Sequence, residues 1–179
     1  IFSGRLLELK GIDTLLHAYR QYRGFSSQPW ELWFAGTGPL ASRLDGVAGV
    51  KSLGFLQVQE MAAKMAEASA FVLPSYSDSW GLVVQEAAAA GLPLILSHEV
   101  GAGEHLLRDG FNGFSVEPAN ALSLAQAMLD MEQQSAKERY RMGRESHHLS
   151  RQFLPEIWAE KLVRETQRYL KQAAAKLEQ

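Results

Sequence analysis

An open, parallel α/β sheet of about six strands with helices on both faces is the architecture this sequence predicts, on three observations. Short apolar runs at 30–35, 50–53, 70–73, 94–96 and 113–116 alternate with helical patterns, the signature of repeated strand and helix units. The opening Ile1-Phe-Ser-Gly4 reads as a further strand running into a loop. A length of 179 residues with 46% apolar content suits one domain, 1–179, with a substantial core.

The elements follow in order. Ile12, Leu15, Leu16 and Tyr19 mark the buried face of a first helix. After the second strand, at 30–35, Gly36-Thr-Gly-Pro39 reads as a tight turn with proline at the first helical position. The third strand, at 50–53, ends in Leu53-Gly54 and leads to Phe55 and Leu56. Ala70-Phe-Val-Leu73 forms the fourth strand, Ser75 to Ser79 a polar turn, and Trp80 to Ala90 a helix stopped by Gly91 and Pro93. Gly101, Gly103 and Glu104 make a flexible turn before a short helix, and Asp109-Gly-Phe-Asn-Gly113 reads as turn chemistry. Leu122, Ala125 and Leu129 give another buried face, and helices are expected over 120–133, 136–149 and 155–173, with Pro155 at the entrance of the last.

Composition excludes several functions. The formal net charge of -2 provides no global basic field, so a nucleic-acid partner is not expected. With no cysteine, disulfides, thiolate catalysis and cysteine zinc sites are excluded, and a cytoplasmic location is the expectation. No apolar run approaches the roughly 20 residues that span a bilayer, and no signal-peptide pattern opens the sequence. The five histidines, at 17, 98, 105, 147 and 148, do not form a metal set, because neighbours on a helix point to different faces. Because Ile1 begins inside a strand, the chain is expected to be part of a longer protein.

In open parallel sheets, ligands bind beyond the carboxyl ends of the strands. Asp78 and Glu86 bracket a helix start there, and between them the amides of Trp80, Gly81, Leu82 and Val83 are free of intrahelical partners. The helix dipole adds about half a positive charge, and Gly81 leaves the backbone bare, so a phosphate suits this end. The two carboxylates repel phosphate and pair naturally with hydroxyls. The segment therefore suggests a ligand with phosphate in its middle and polyols at both ends. Asp78 or Ser79 acting merely as a helix cap is the plainer alternative.

Other loops at that edge add to the picture. Gly4 gives the first loop freedom, while Arg5 and Lys10 offer two cations suited to a diphosphate, although such charges taken singly read as solvent-facing. Gly54-Phe55-Leu56 offers backbone and an aromatic ring to a planar base, against a packing role for Phe55. Gly36-Thr-Gly-Pro-Leu-Ala41 imitates a dinucleotide fingerprint but follows the second strand, without the acidic residue that reads the ribose. The last helix carries Lys161, Arg164, Arg168, Lys171 and Lys176 beside Trp158, Leu162 and Leu170, which suits a solvated charged face better than membrane contact.

In their order and spacing, several of these motifs resemble one family. They are Gly4-Arg5-Leu6 with Lys10-Gly11, Gly36-Thr-Gly-Pro39, Leu53-Gly54, Pro74-Ser75, Asp78 to Glu86, Gly91-Leu-Pro93, and Gly101 through Glu104 to Gly113 and Pro118. The chain resembles the C-terminal, donor-binding domain of retaining glycosyltransferases of the GT-B fold, glycosyltransferase family four, whose half-molecule is Rossmann-like. The resemblance implies transfer of a sugar from a nucleotide-diphosphate donor, UDP- or GDP-linked, to an acceptor glycan or glycolipid, with retention and without a metal or other cofactor. It implies that Arg5 and Lys10 grip the diphosphate, Asp78 the sugar hydroxyls and Glu86 the ribose. The amides of Trp80 to Val83 then complete the cradle, with Ser79 at its rim, and Phe55 and Leu56 border the base. The family has glutamate where this chain has Asp78.

It further implies an acceptor domain outside this chain, so that the piece alone binds donor weakly and transfers little, and a full protein in peripheral contact with the inner membrane face. A sugar-nucleotide epimerase, a sucrose or glycogen synthase relative, and a binding module without catalysis remain alternatives.

Overall fold

The computed structural model describes residues 1–177, with side chains as far as residue 172; the predicted Lys176 lies outside the described side chains. Six strands form as expected: β1 (Phe2–Ser3), β2 (Leu32–Ala35), β3 (Val50–Gly54), β4 (Phe71–Leu73), β5 (Leu94–Ser97) and β6 (Gly113–Val116). Seven helices accompany them among the described residues: α1 (Ile12–Phe25), α2 (Val58–Glu67), α3 (Leu82–Ala89), α4 (Gly103–Leu106), α5 (Ala121–Gln133), α6 (Ala136–Ser150) and α7 (Pro155–Leu177).

All strand pairs are parallel, but they make two three-stranded sheets, β1-β2-β3 and β4-β5-β6, rather than the single six-stranded sheet expected. The physical reason is the length of the central pair. β1 has two residues, both laddered to β2, and β4 three, all laddered to β5, and between them the sheets meet where Val72 N–H donates to Ile1 C=O at 2.9 Å and the Ile1 amine donates to Ala70 C=O at 2.8 Å. Strand order across the two is therefore β3-β2-β1-β4-β5-β6. The chain leaves β1 toward β2 on one side and β4 toward β5 on the other, so the loops after β1 and β4 flank a topological switch point, where ligands of such sheets bind.

β1, β2, β4 and β5 are almost wholly buried, as parallel strands under helices must be, while the edge strand β3 is partly exposed. Phe2, Phe34, Phe71, Leu73, Leu94 and Leu96 are fully buried, and α1 packs on α5 while α3 packs on α6. The α1 face is the predicted one. On α5 it is Leu124, Ala125, Met128 and Met131 that are buried, and Leu122 is exposed. Tyr22, between α1 and α5, accepts a hydrogen bond from Trp30 N–H, and burial, then the neighbouring Glu132, push its phenol well above the ordinary range. Beyond Ile157, the side chains of α7 as far as residue 172 are exposed, including Trp158, Leu162, Tyr169 and Leu170.

Candidate functional site

Two loops meet at the switch point. After β1, the chain makes a short 3-10 turn at Glu8–Lys10 and enters α1 through Gly11. After β4, Pro74 to Gly81 leads into α3. Tyr76 N–H donates to Leu9 C=O at 2.8 Å, and the hydroxyls of Tyr76 and Thr14 share a hydrogen bond of 2.6 Å. The side chain of Lys10 then reaches Asp78, Nζ to Oδ2 at 2.5 Å, with both groups largely shielded from solvent. Asp78 is held from the other side: its N–H donates to Glu99 C=O, and its C=O accepts from Gly101 N–H.

The helix begins two residues later than predicted. Gly81, at φ +84°, is the N-cap, and α3 starts at Leu82, not Trp80. The reason is that Trp80 C=O is engaged by Ala102 N–H at 2.7 Å, and a left-handed residue must then turn the chain into the helix. No side chain caps the helix, so the plainer reading of Asp78 or Ser79 as a cap does not hold; the Asp78 carboxylate serves Lys10 instead. Among the described residues, the amides of Trp80, Gly81, Leu82 and Val83 donate to no protein acceptor. A Cβ at Gly81 would lie 3.5 Å from Asp78 Oδ2, which places the lysine, the carboxylate and the bare helix entrance at one point.

The other predicted residues distribute around this point. Arg5 is exposed, on a backbone fixed by Leu6 N–H to Thr37 C=O at 2.9 Å, and it makes no ion pair among the described residues. Ser79 and Leu82 are exposed at the rim. Glu86, one turn into α3, lines an open cleft of about 660 Å³ together with Phe55, Leu56, Val58 and Met61. Phe55 is 70% exposed, so the alternative of core packing is overturned. Gly36 and Gly38 serve packing: a Cβ on either would overlap the backbone of Gly4 or Leu6, so the fingerprint-like glycines let the second loop lie against the first.

A second groove, of about 500 Å³, lies at the far end of α3, where Tyr140, Arg144, His147, His148 and Arg151 surround Ala90, Gly91 and Gly143. His147 and His148 both line it, and His147 Nδ1 bonds Ala89 C=O at 2.7 Å. Arg144 and Arg151 bring positive charge to this groove at the carbonyl end of α3, whose dipole favours it. Among the described residues no group of three or more His, Asp or Glu converges as a metal site, and no helix is long and apolar enough to cross a membrane.

Sequence reasoning missed Thr14 and Tyr76, which fasten the two loops, and His105 and Phe153, which pack on Trp80. A tyrosine inside a polar turn was the one available signal for the first pair. The second pair left none.

Comparison with known proteins decides the family. A family model described as "Glycosyl transferases group 1" matches residues 1–134. The chain belongs to the group 1 glycosyltransferases. It is 33% identical over 135 residues to a glycogen synthase of Mycobacterium tuberculosis, covering 72% of this chain and 32% of that protein. It is 31% identical over 159 residues to a D-inositol 3-phosphate glycosyltransferase of Streptomyces avermitilis, covering 80% and 34% respectively. The chain thus spans about a third of the length of these relatives. Among solved structures it superposes on the pneumococcal O-GlcNAc transferase GtfA, in complex with UDP and GlcNAc, with a TM-score of 0.79 at 20% identity over 94% of this chain and 35% of the other. Sucrose-phosphate synthase from Thermosynechococcus elongatus gives 0.76 at 25% identity, over 97% and 45%. This group 1 glycosyltransferase chain has the fold of a GT-B C-terminal domain.

Proposed function

We propose that this domain holds the nucleotide-diphosphate sugar of a retaining glycosyltransferase, and that an acceptor domain elsewhere in a longer protein presents a glycan or glycolipid to it. The observation that carries the reading is the convergence of Lys10, Asp78 and the unpartnered amides at Gly81, with Glu86 facing the Phe55 and Leu56 cleft one turn away. A diphosphate fits the cation and amide end, and a nucleoside fits the cleft.

In this reading Arg5, Lys10 and the amides of Trp80 to Val83 receive the negative charge that develops as the sugar departs through an oxocarbenium-like state. A diphosphate neutralised in this way needs no metal. Glu86 accepts from the ribose hydroxyls and Asp78 from the sugar, once incoming phosphate shares Lys10. Two structural neighbours, GtfA and the Anabaena protein HepE, were solved with UDP, which supports UDP as the first probe. The whole protein would act in the cytoplasm, with peripheral contact at the inner membrane face.

Calorimetric titration of the chain with UDP, GDP and ADP tests this. One of the three is expected to bind, and Arg5→Ala and Glu86→Ala are each expected to weaken it about tenfold, the scale of a charge-assisted hydrogen bond. Binding of none of them would sink the reading, and binding indifferent to both substitutions would sink the residue roles.

A further inference from the structure

We infer that Phe153 is a positioning residue for the phosphate-binding amides, acting through the indole of Trp80; the inference rests on the donor-site reading above. Trp80 immediately precedes the left-handed Gly81 and carries the first of the unpartnered amides. Its ring centroid lies 5.3 Å from that of Phe153, edge to face at 68°, and 5.6 Å from that of His105. His105 and Phe153 in turn lie 5.9 Å apart, edge to face, so the three rings form a closed cluster.

The cluster joins three parts of the chain distant in sequence. His105 belongs to α4, and Phe153 to a 3-10 turn at Arg151–Phe153 between α6 and α7. That turn holds α3 a second time, because Gln85 Nε2 donates to Phe153 C=O at 3.3 Å. The amide segment is thus gripped before the helix by a ring and within the helix by a side-chain amide. Its backbone ties here are Ala102 N–H to Trp80 C=O and, on the helix side, Val84 N–H to Gly81 C=O.

Amides serve an anion best when fixed in place before it arrives, since ordering them on binding costs conformational entropy. Gly81 is the weak point, being free to rotate. The rings on its N-terminal neighbour restrict it. Phe153 itself belongs to none of the residues assigned to the ligand, so its loss should be felt by the phosphates and not by the nucleoside.

The test compares UDP with uridine by NMR titration of the 179-residue chain carrying Phe153→Ala. UDP affinity is expected to fall about tenfold, the upper range of one aromatic pair, with uridine changed less than about twofold. Phe153→Leu, which keeps bulk, is expected to fall between and guards against a misfolded alanine variant. Unchanged UDP affinity in both variants, or equal losses for UDP and uridine, would overturn the inference. Failure of the unaltered chain to bind UDP, GDP or ADP would overturn the donor-site reading and this inference with it.

Discussion

The two ends of the site are built differently. At the end proposed for the phosphates, Lys10, Asp78, Tyr76 and Thr14 are bonded to one another or to backbone, and Trp80 is packed by two rings. At the cleft end, Phe55 and Glu86 are exposed and neither side chain has a hydrogen-bond or ion-pair partner among the described residues. The first end is organised in advance of any ligand. The second is left open for contacts that a ligand itself completes. In the proposed reading, the diphosphate common to nucleotide-sugar donors would meet the rigid end, and the variable base the open one.

Three substitutions sharpen or break this contrast. The largest effect belongs to Lys10→Ala, which removes the one described side-chain cation bonded at the helix entrance. UDP affinity measured by calorimetry is expected to fall about 10- to 100-fold, the range of charged hydrogen bonds. A loss of twofold or less would mean that the phosphates lie elsewhere.

Asp78→Asn is expected to act in the opposite direction. It keeps the shape but removes a negative charge beside the phosphates and frees Lys10, so UDP should bind about fivefold more tightly while the preference for a UDP-sugar over UDP declines. Weaker UDP binding would show that the carboxylate's main task is to aim Lys10.

The smallest change is expected from Phe55→Ala. A base resting on an exposed ring should lose about threefold in UDP affinity, near the low end of base stacking, and pyrophosphate binding should be unaffected. Equal effects on both ligands would erase the distinction between the two ends.

The alternation of strands and helices was legible because each short apolar run is followed by turn residues and a helical period. The Asp78 to Glu86 segment was legible for the same reason, since a strand, a polar turn and a helix start are local patterns. What the sequence hid are relations between distant parts. Lys10 and Asp78 are separated by 68 positions, and only the reversal of strand order at β1 and β4 brings them together. The helix start was misplaced because a backbone bond from Ala102 overrides the local pattern around Trp80. Leu122 followed the helical period, yet α5 presents Leu124 and Met128 to the core instead. The split into two sheets was hidden by β1 and β4, whose brevity is set by where hydrogen bonding stops and not by where apolar residues stop.

That split has a consequence for how the domain tolerates change. At the loop edge, Lys10 with Asp78 and Leu9 with Tyr76 join the two halves, so the contacts that surround the candidate site are among those that hold the halves together, alongside the packing of α1 on α5. If a donor binds there as proposed, drift in recognition and drift in mechanical cohesion are yoked along this edge: a lineage that reshapes its grip would also loosen some of the sutures of its own middle.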